Sequence, residues 1–198
     1  MIQFFSYYKF LGIKSLICIV FISVCCSTKK NGESVNNQEI ESQVSDSVFV
    51  FQKYKLTIGI PKTWTPQKLS ESIFVFRMDC DSSRIFCPNI AAQFTVLDQN
   101  QTLRSYTETY FYHFQEKYKT FHLVSSLDKQ ANDFQMKIVD YKMFEQNTNF
   151  GGTTAIIKCE NSDQLLILSI MAENDESGSY VKYRRLFENI LNSIRKLT

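Results

Sequence analysis

The stretch YKLTIGIPKTW, residues 54–64, decides how the rest of the chain is read. Tyr54, Leu56, Ile58 and Ile60 alternate with Lys55, Thr57 and Gly59. Period-two alternation turns one set of side chains to a core and the other to solvent, which predicts a half-buried strand. Pro61 ends it, and Trp64-Thr65-Pro66 predicts an extended turn. The run Val48–Phe51 just before it is short and apolar. Downstream, Phe74, Phe76 and Met78 alternate, as do Ile90, Ala92, Phe94 and Val96. The polar residues 81–89 between them predict a hairpin.

The period then changes. Leu103, Tyr106, Tyr110, Phe114 and Tyr118 follow helical spacing with charges between them, and Thr102 stands where a cap is needed. Strand-like segments resume at His122–Leu127, Phe134–Glu145, Thr153–Cys159 and Leu165–Ala172. Asn147–Gly152 and Glu160–Asp163 read as turns between them. Leu165-Leu166-Ile167-Leu168 is apolar on both faces, which places that strand centrally. Residues 178–197 predict a second helix with Tyr183, Leu186 or Phe187, Ile190, Ile194 and Leu197 inward. Arg195 and Lys196 would then sit in its last turn, where cations suit the helix dipole. Strands, helix, strands, helix with short turns make an α+β fold: one central, mostly antiparallel sheet flanked by helices.

The N-terminus has a different character. Residues 1–14 carry Lys9 and Lys14 and no acid, and residues 15–24 are almost wholly apolar. That is the order of a secretion signal, and the run is too short for a stable transmembrane helix. Ile22-Ser23-Val24-Cys25 resembles a bacterial lipobox, with Ile22 and Ser23 matching and the bulky Val24 departing from the usual small residue. The resemblance implies a signal peptide over residues 1–24 and acylation of Cys25, with Cys26 as the alternative. Residues 25–47 are Ser-, Asn-, Gln- and Glu-rich and predict a flexible tether. Residues 48–198 then form a single domain, tethered to a bacterial membrane in the cell envelope, with the periplasmic face preferred over the cell surface.

Three pieces of the domain together resemble the PsbP-like fold family, which includes bacterial lipoproteins of the DcrB type. They are Tyr54-x-Leu56-x-Ile58-x-Ile60-Pro61-x-x-Trp64, the helix start Leu103-x-x-Tyr106, and Phe187-x-x-Ile190-Leu191-x-Ser193-Ile194-Arg195 near the end. The resemblance covers most of residues 50–197. It implies an antiparallel sheet between helices and a binding or accessory role, and it carries over no catalytic residue.

The residues themselves point the same way. The formal charge is only +2 and is scattered, so no clustered basic face marks a nucleic-acid binder. The two histidines, His113 and His122, lack the spacing of a metal site, and no nucleophile or phosphate-loop motif is present. No metal, cofactor or catalytic residue is expected. Cys80 and Cys87 flank CDSSRIFC and are a disulfide pair or two thiols, the pair being favoured in an oxidising compartment. Asp79 and Asp81 bracket Cys80 without the further oxygens calcium needs. Phe111 and Tyr112 lie off the helical stripe and are either part of a wide buried face or an exposed patch for a partner. The reading is a membrane-tethered, non-catalytic accessory or binding module with a protein partner in the envelope. The alternatives are an envelope hydrolase with dispersed acids, or a carrier with an apolar pocket between sheet and helix.

Overall fold

The computed structural model describes residues 47–197 apart from 79, 81–85, 132, 146, 161 and 175–177. The signal, the lipidation candidates Cys25 and Cys26, residues 25–46 of the tether, and Asp79 and Asp81 lie outside the described residues. Among the described residues ten strands and two α-helices follow one another. The strands are β1 (Val48–Phe51), β2 (Leu56–Gly59), β3 (Trp64–Lys68), β4 (Ile73–Met78) and β5 (Asn89–Val96). After helix α1 (Leu103–Lys117) come β6 (His122–Ala131), β7 (Phe134–Glu145), β8 (Thr148–Cys159) and β9 (Gln164–Glu173). Helix α2 (Ser179–Asn192) and the short β10 (Arg195–Lys196) close the chain.

Seven strands form one antiparallel sheet in the order β3-β4-β5-β9-β8-β7-β6. The doubly apolar β9 is its central strand, and the chemistry explains why. Leu166, Leu168, Ile170 and Ala172 join the core under α2, while Leu165, Ile167 and Met171 join the core under α1. Strand β7 divides likewise, with Phe134, Met136 and Ile138 under α2 and Val139, Tyr141 and Met143 toward α1. Helix α1 starts on a reciprocal cap: the Ser105 N–H donates to Thr102 Oγ1 at 3.0 Å and the Thr102 N–H to Ser105 Oγ at 2.9 Å.

Four expectations are corrected. First, the opening strand is not part of the main sheet. β1, β2 and β10 form a separate three-stranded sheet in the order β1-β2-β10, which brings Phe49 and Phe51 against Phe74, Phe76 and Phe94. Period two reveals faces, and it is silent on which strand lies alongside. Second, α2 stops at Asn192. Ser193 Oγ donates to the Ile190 carbonyl at 2.6 Å and accepts the Gly59 N–H at 2.7 Å, so the chain leaves the helix and pairs with β2. Third, Trp64–Lys68 is a strand, not a turn; Pro66 is tolerated there because β3 is an edge. Fourth, the β7–β8 turn is tight. Glu145 pairs with Thr148, and Asn147 takes a left-handed φ of 63°. Gly151 and Gly152 belong to β8: a Cβ on Gly151 would collide with the Tyr180 ring, and one on Gly152 with the Tyr141 ring.

Candidate functional site

Both ends of the main sheet are edges, and they differ. Pro66 on β3 has no N–H to offer, and Lys68 stands beside it. The other edge, β6, is ten residues long and has no proline. Among the described residues no strand pairs with its outer side. Leu123, Val124 and Leu127 are exposed along it, Val124 by 56%, and exposed Phe144 lies on the neighbouring β7. The register slips between Leu123 and Ser125, so Val124 sits in a bulge.

This edge is braced from behind. Asp140 on β7 faces the α2 side of the sheet, in step with Phe134, Met136 and Ile138. Arg184 Nε donates to its Oδ1 at 2.7 Å and Thr153 Oγ1 to the same oxygen at 2.6 Å. Ser125 Oγ on β6 donates to Oδ2 at 2.8 Å. Tyr180 OH lies 3.2 Å from Oδ1, 3.0 Å from Thr153 Oγ1 and 3.2 Å from the Gly152 carbonyl. Arg184 Nη1 continues to Glu188 at 2.7 Å. Lys129 Nζ also ties β6 to α2 by donating to Asn192 Oδ1 at 2.7 Å, and Lys137 meets Asp128 at 3.0 Å.

The electrostatics fix the protonation of this cluster. Burial works against the Asp140 carboxylate, but hydrogen bonds from Thr153, Arg184 and Ser125, and the Arg184 charge, outweigh it and hold the carboxyl below its ordinary range. Burial above all, aided by the Asp140 charge and hydrogen bond, pushes Tyr180 up to about 12 against the opposing Thr153 hydrogen bond and Arg184 charge. Near neutral pH the carboxylate is ionised with both oxygens engaged, and the phenol is protonated. The arrangement is a clamp of β6 and α2 onto β7 and β8.

The sequence-predicted residues lie elsewhere. Phe111 is only 3% exposed, so of its two readings the wide buried face holds and the partner-facing aromatic is corrected. It packs among Tyr110, Phe114, Phe121 and Tyr141 because the buried face of α1 centres on Thr107 and Phe111, rotated from the 103/106/110/114/118 stripe. Tyr112 is exposed, and its hydroxyl is held by Glu116. Cys80 and Cys87 are disulfide-bonded, with Cα atoms 5.9 Å apart. Phe86 beside them packs on Phe150, and its N–H donates to Glu173 Oε1. Closing so short a loop contributes roughly 2 kcal/mol through the unfolded state. Replacing both cysteines by serine is expected to lower the urea midpoint accordingly and to abolish the effect of added reductant on it. Cys159 is free and half-buried; burial raises its thiol. His113 and His122 are exposed on α1 and at the start of β6, and no group of three metal-ligating side chains occurs among the described residues. No described helix is long and apolar enough to cross a membrane.

The Asp140 cluster was missed at the sequence level, although a signal existed. Residues 134, 136 and 138 are apolar at alternate positions, and the next member of that inward register is an acid. An acid there needs a cation, and Arg184 lies one helical turn beyond Tyr180 on α2.

No family model matches this chain, and no curated protein matches it in sequence. Solved structures do match in fold. The Ran-binding protein Mog1p of Saccharomyces cerevisiae aligns with a TM-score of 0.60 at 8% identity, covering 78% of this chain and 96% of its own. PA94 of Pseudomonas aeruginosa, a protein of unknown function, aligns with a TM-score of 0.52 at 10% identity, covering 74% and 94%. LpqN of Mycobacterium tuberculosis, involved in cell envelope biogenesis, aligns with a TM-score of 0.52 at 12% identity, covering 70% and 81%. At such identities the likeness establishes the fold alone: an α+β domain, a mostly antiparallel sheet with two helices, similar in fold to Mog1p.

Proposed function

We propose that this protein is a non-catalytic accessory or binding module of the cell envelope, acylated at Cys25 or alternatively Cys26, which receives an extended segment of a partner protein along β6. The observation that carries the reading is the contrast between the two sheet edges. One is blocked by Pro66, while the other offers unpaired backbone groups flanked by exposed Leu123, Val124 and Leu127. Strand addition at such an edge supplies affinity through the backbone and specificity through alternate side chains. The Asp140 clamp supports it, since an edge held rigid costs less ordering on binding. Mog1p binds Ran and LpqN acts in envelope biogenesis; both accord with a binding role on this fold.

The test is a photo-crosslinking amino acid placed at Val124 and, in a second protein, at Thr65 on the proline-guarded edge, each in the full-length chain in its native envelope. A discrete adduct is expected from position 124 only, and S126P in the same background should remove it. Equal or absent adducts at both positions would sink the reading. Intact mass of the mature N-terminus tests the anchor independently.

A further inference from the structure

We propose that the outer face of the β1-β2-β10 sheet is the surface on which the domain lies against an anionic membrane. The inference rests on the lipid-anchor reading above and adds to it the face that meets the bilayer. The pairs Phe51↔Leu56 and Phe49↔Ile58 turn these four side chains toward the core. The alternate positions, Val48, Val50, Thr57 and Arg195, therefore point the other way. Val48 is 65% exposed and Val50 37%.

Cations gather at the turn end of this face, with Arg195 beside Thr57, the register partner of Val50. Lys53 and Lys55 occupy the turn between β1 and β2, and Lys55 has a left-handed φ of 50°. The Lys55 carbonyl accepts the Leu197 N–H at 2.8 Å, which draws Arg195 and Lys196 alongside. All four basic residues are exposed; Arg195 shares the outer face with Thr57, while Lys196, in register with Leu56, lies on the other side of β10. From Ser47 to Ser70 the chain has no Asp or Glu, yet it carries Lys53, Lys55, Lys62 and Lys68. Such a concentration stands out in a protein whose formal charge is +2. The acids nearby are engaged: Asp133 meets Lys196 at 3.4 Å and Glu71 meets Lys68 at 2.6 Å. Lys53 lies 5.7 Å from the Tyr54 ring centre and feels Glu71 only at longer range, and Arg195 donates to the Asn192 and Ile194 carbonyls.

Two exposed valines framed by long basic side chains match a bilayer surface. The apolar tips enter the headgroup boundary, and the ammonium and guanidinium groups stay level with the phosphates. Position favours the same occupant. The roughly 20 residues between Cys25 and Ser47 span at most about 70 Å and deliver the anchor to β1 itself. The β6 edge lies four to five strand spacings from the β4 and β5 strands under this small sheet, roughly 20 Å away, so membrane and partner do not compete.

The test uses the full-length acylated protein in vesicles of phosphatidylglycerol and phosphatidylethanolamine, and separately in phosphatidylcholine vesicles. Amide exchange across residues 48–57 and 193–197 should slow at least fivefold on the anionic vesicles relative to phosphatidylcholine, with β6 unchanged. High salt, or K53E/K55E, should erase the difference while the thermal transition stays intact. Equal exchange on the two vesicle types would overturn the proposal and leave the anchor reading standing. Absence of acyl mass in the same preparation would overturn the anchor reading. Co-sedimentation of that full chain with anionic vesicles then decides the face: binding that K53E/K55E abolishes supports it, and no binding refutes it.

Discussion

Phe187→Ala is expected to lower the unfolding free energy by about 3–5 kcal/mol, the usual cost of emptying a large aromatic site in a core. Phe187 is fully buried on α2 among Leu186, Ile190, Leu191 and the inward residues of β9 and β8. The α2 core also holds the small sheet through Phe51, Leu56 and Ile58, so the cavity lies where α2, the main sheet and the small sheet meet. A domain of this size has a total stability of about 5–15 kcal/mol, so this single truncation consumes a large part of it. Urea unfolding followed by circular dichroism checks the figure. The midpoint should fall steeply with the slope unchanged, while Val181→Ala on the exposed side of the same helix should shift it by less than about 0.5 kcal/mol. A small shift for Phe187→Ala would mean that the helix does not seal this face.

Asp140→Ala is the second large effect, about 3 kcal/mol. Removing the carboxylate deprives Arg184, Thr153, Tyr180 and Ser125 of their shared acceptor. Breaking a buried pair costs about 3–5 kcal/mol, and the remaining exposure of both partners, about a fifth, puts the expectation at the low end. The cluster also predicts the shape of the pH profile. The folded carboxyl titrates below its ordinary 3.8, so its contribution is complete at pH values above that and is lost as pH falls through 3.8 toward the lower folded value. The Tyr180 phenol moves from 10.0 to about 12, so its contribution is complete below pH 10 and is lost as pH rises from there to about 12. Asp140→Asn should flatten the acid limb and Tyr180→Phe the alkaline limb. Acid limbs of equal steepness in wild type and Asp140→Asn would refute the assignment.

Faces were legible in the sequence, and partners were not. The alternation at Leu56, Ile58 and Ile60 gave their burial correctly, and the doubly apolar run from Leu165 to Leu168 placed β9 at the centre. Nothing local says that Leu56–Gly59 leaves the main sheet, because that depends on Arg195 and Lys196 arriving from the far end of the chain. Helical spacing through Ile194 and Leu197 concealed the stop at Asn192, which Ser193 imposes by bonding Gly59. Gly151 and Gly152 looked like turn residues because glycine usually is one. Here they make room for two tyrosine rings, one from β7 and one from α2. For Phe111 the sequence left two faces open because α1 is aromatic on several sides, so its pattern had little contrast to choose between them. Asp140 could have been flagged by its inward register, whereas its convergence with Ser125 and Tyr180 required the fold.

The long-range closures of this topology also bear on when the chain can fold. β2 meets the segment after α2 through Gly59 and Ser193, 134 residues apart, and Phe86 beside β5 meets Glu173 at the end of the central strand, 87 residues apart. Contacts of such separation cannot form until nearly the whole polypeptide exists, and chains dominated by them fold slowly. For a protein bound for the envelope such a delay would be useful. Were the chain exported, a nascent form that lacks its central strand would remain threadable, so the wiring that unites the ends of the mature domain would also keep it competent for translocation.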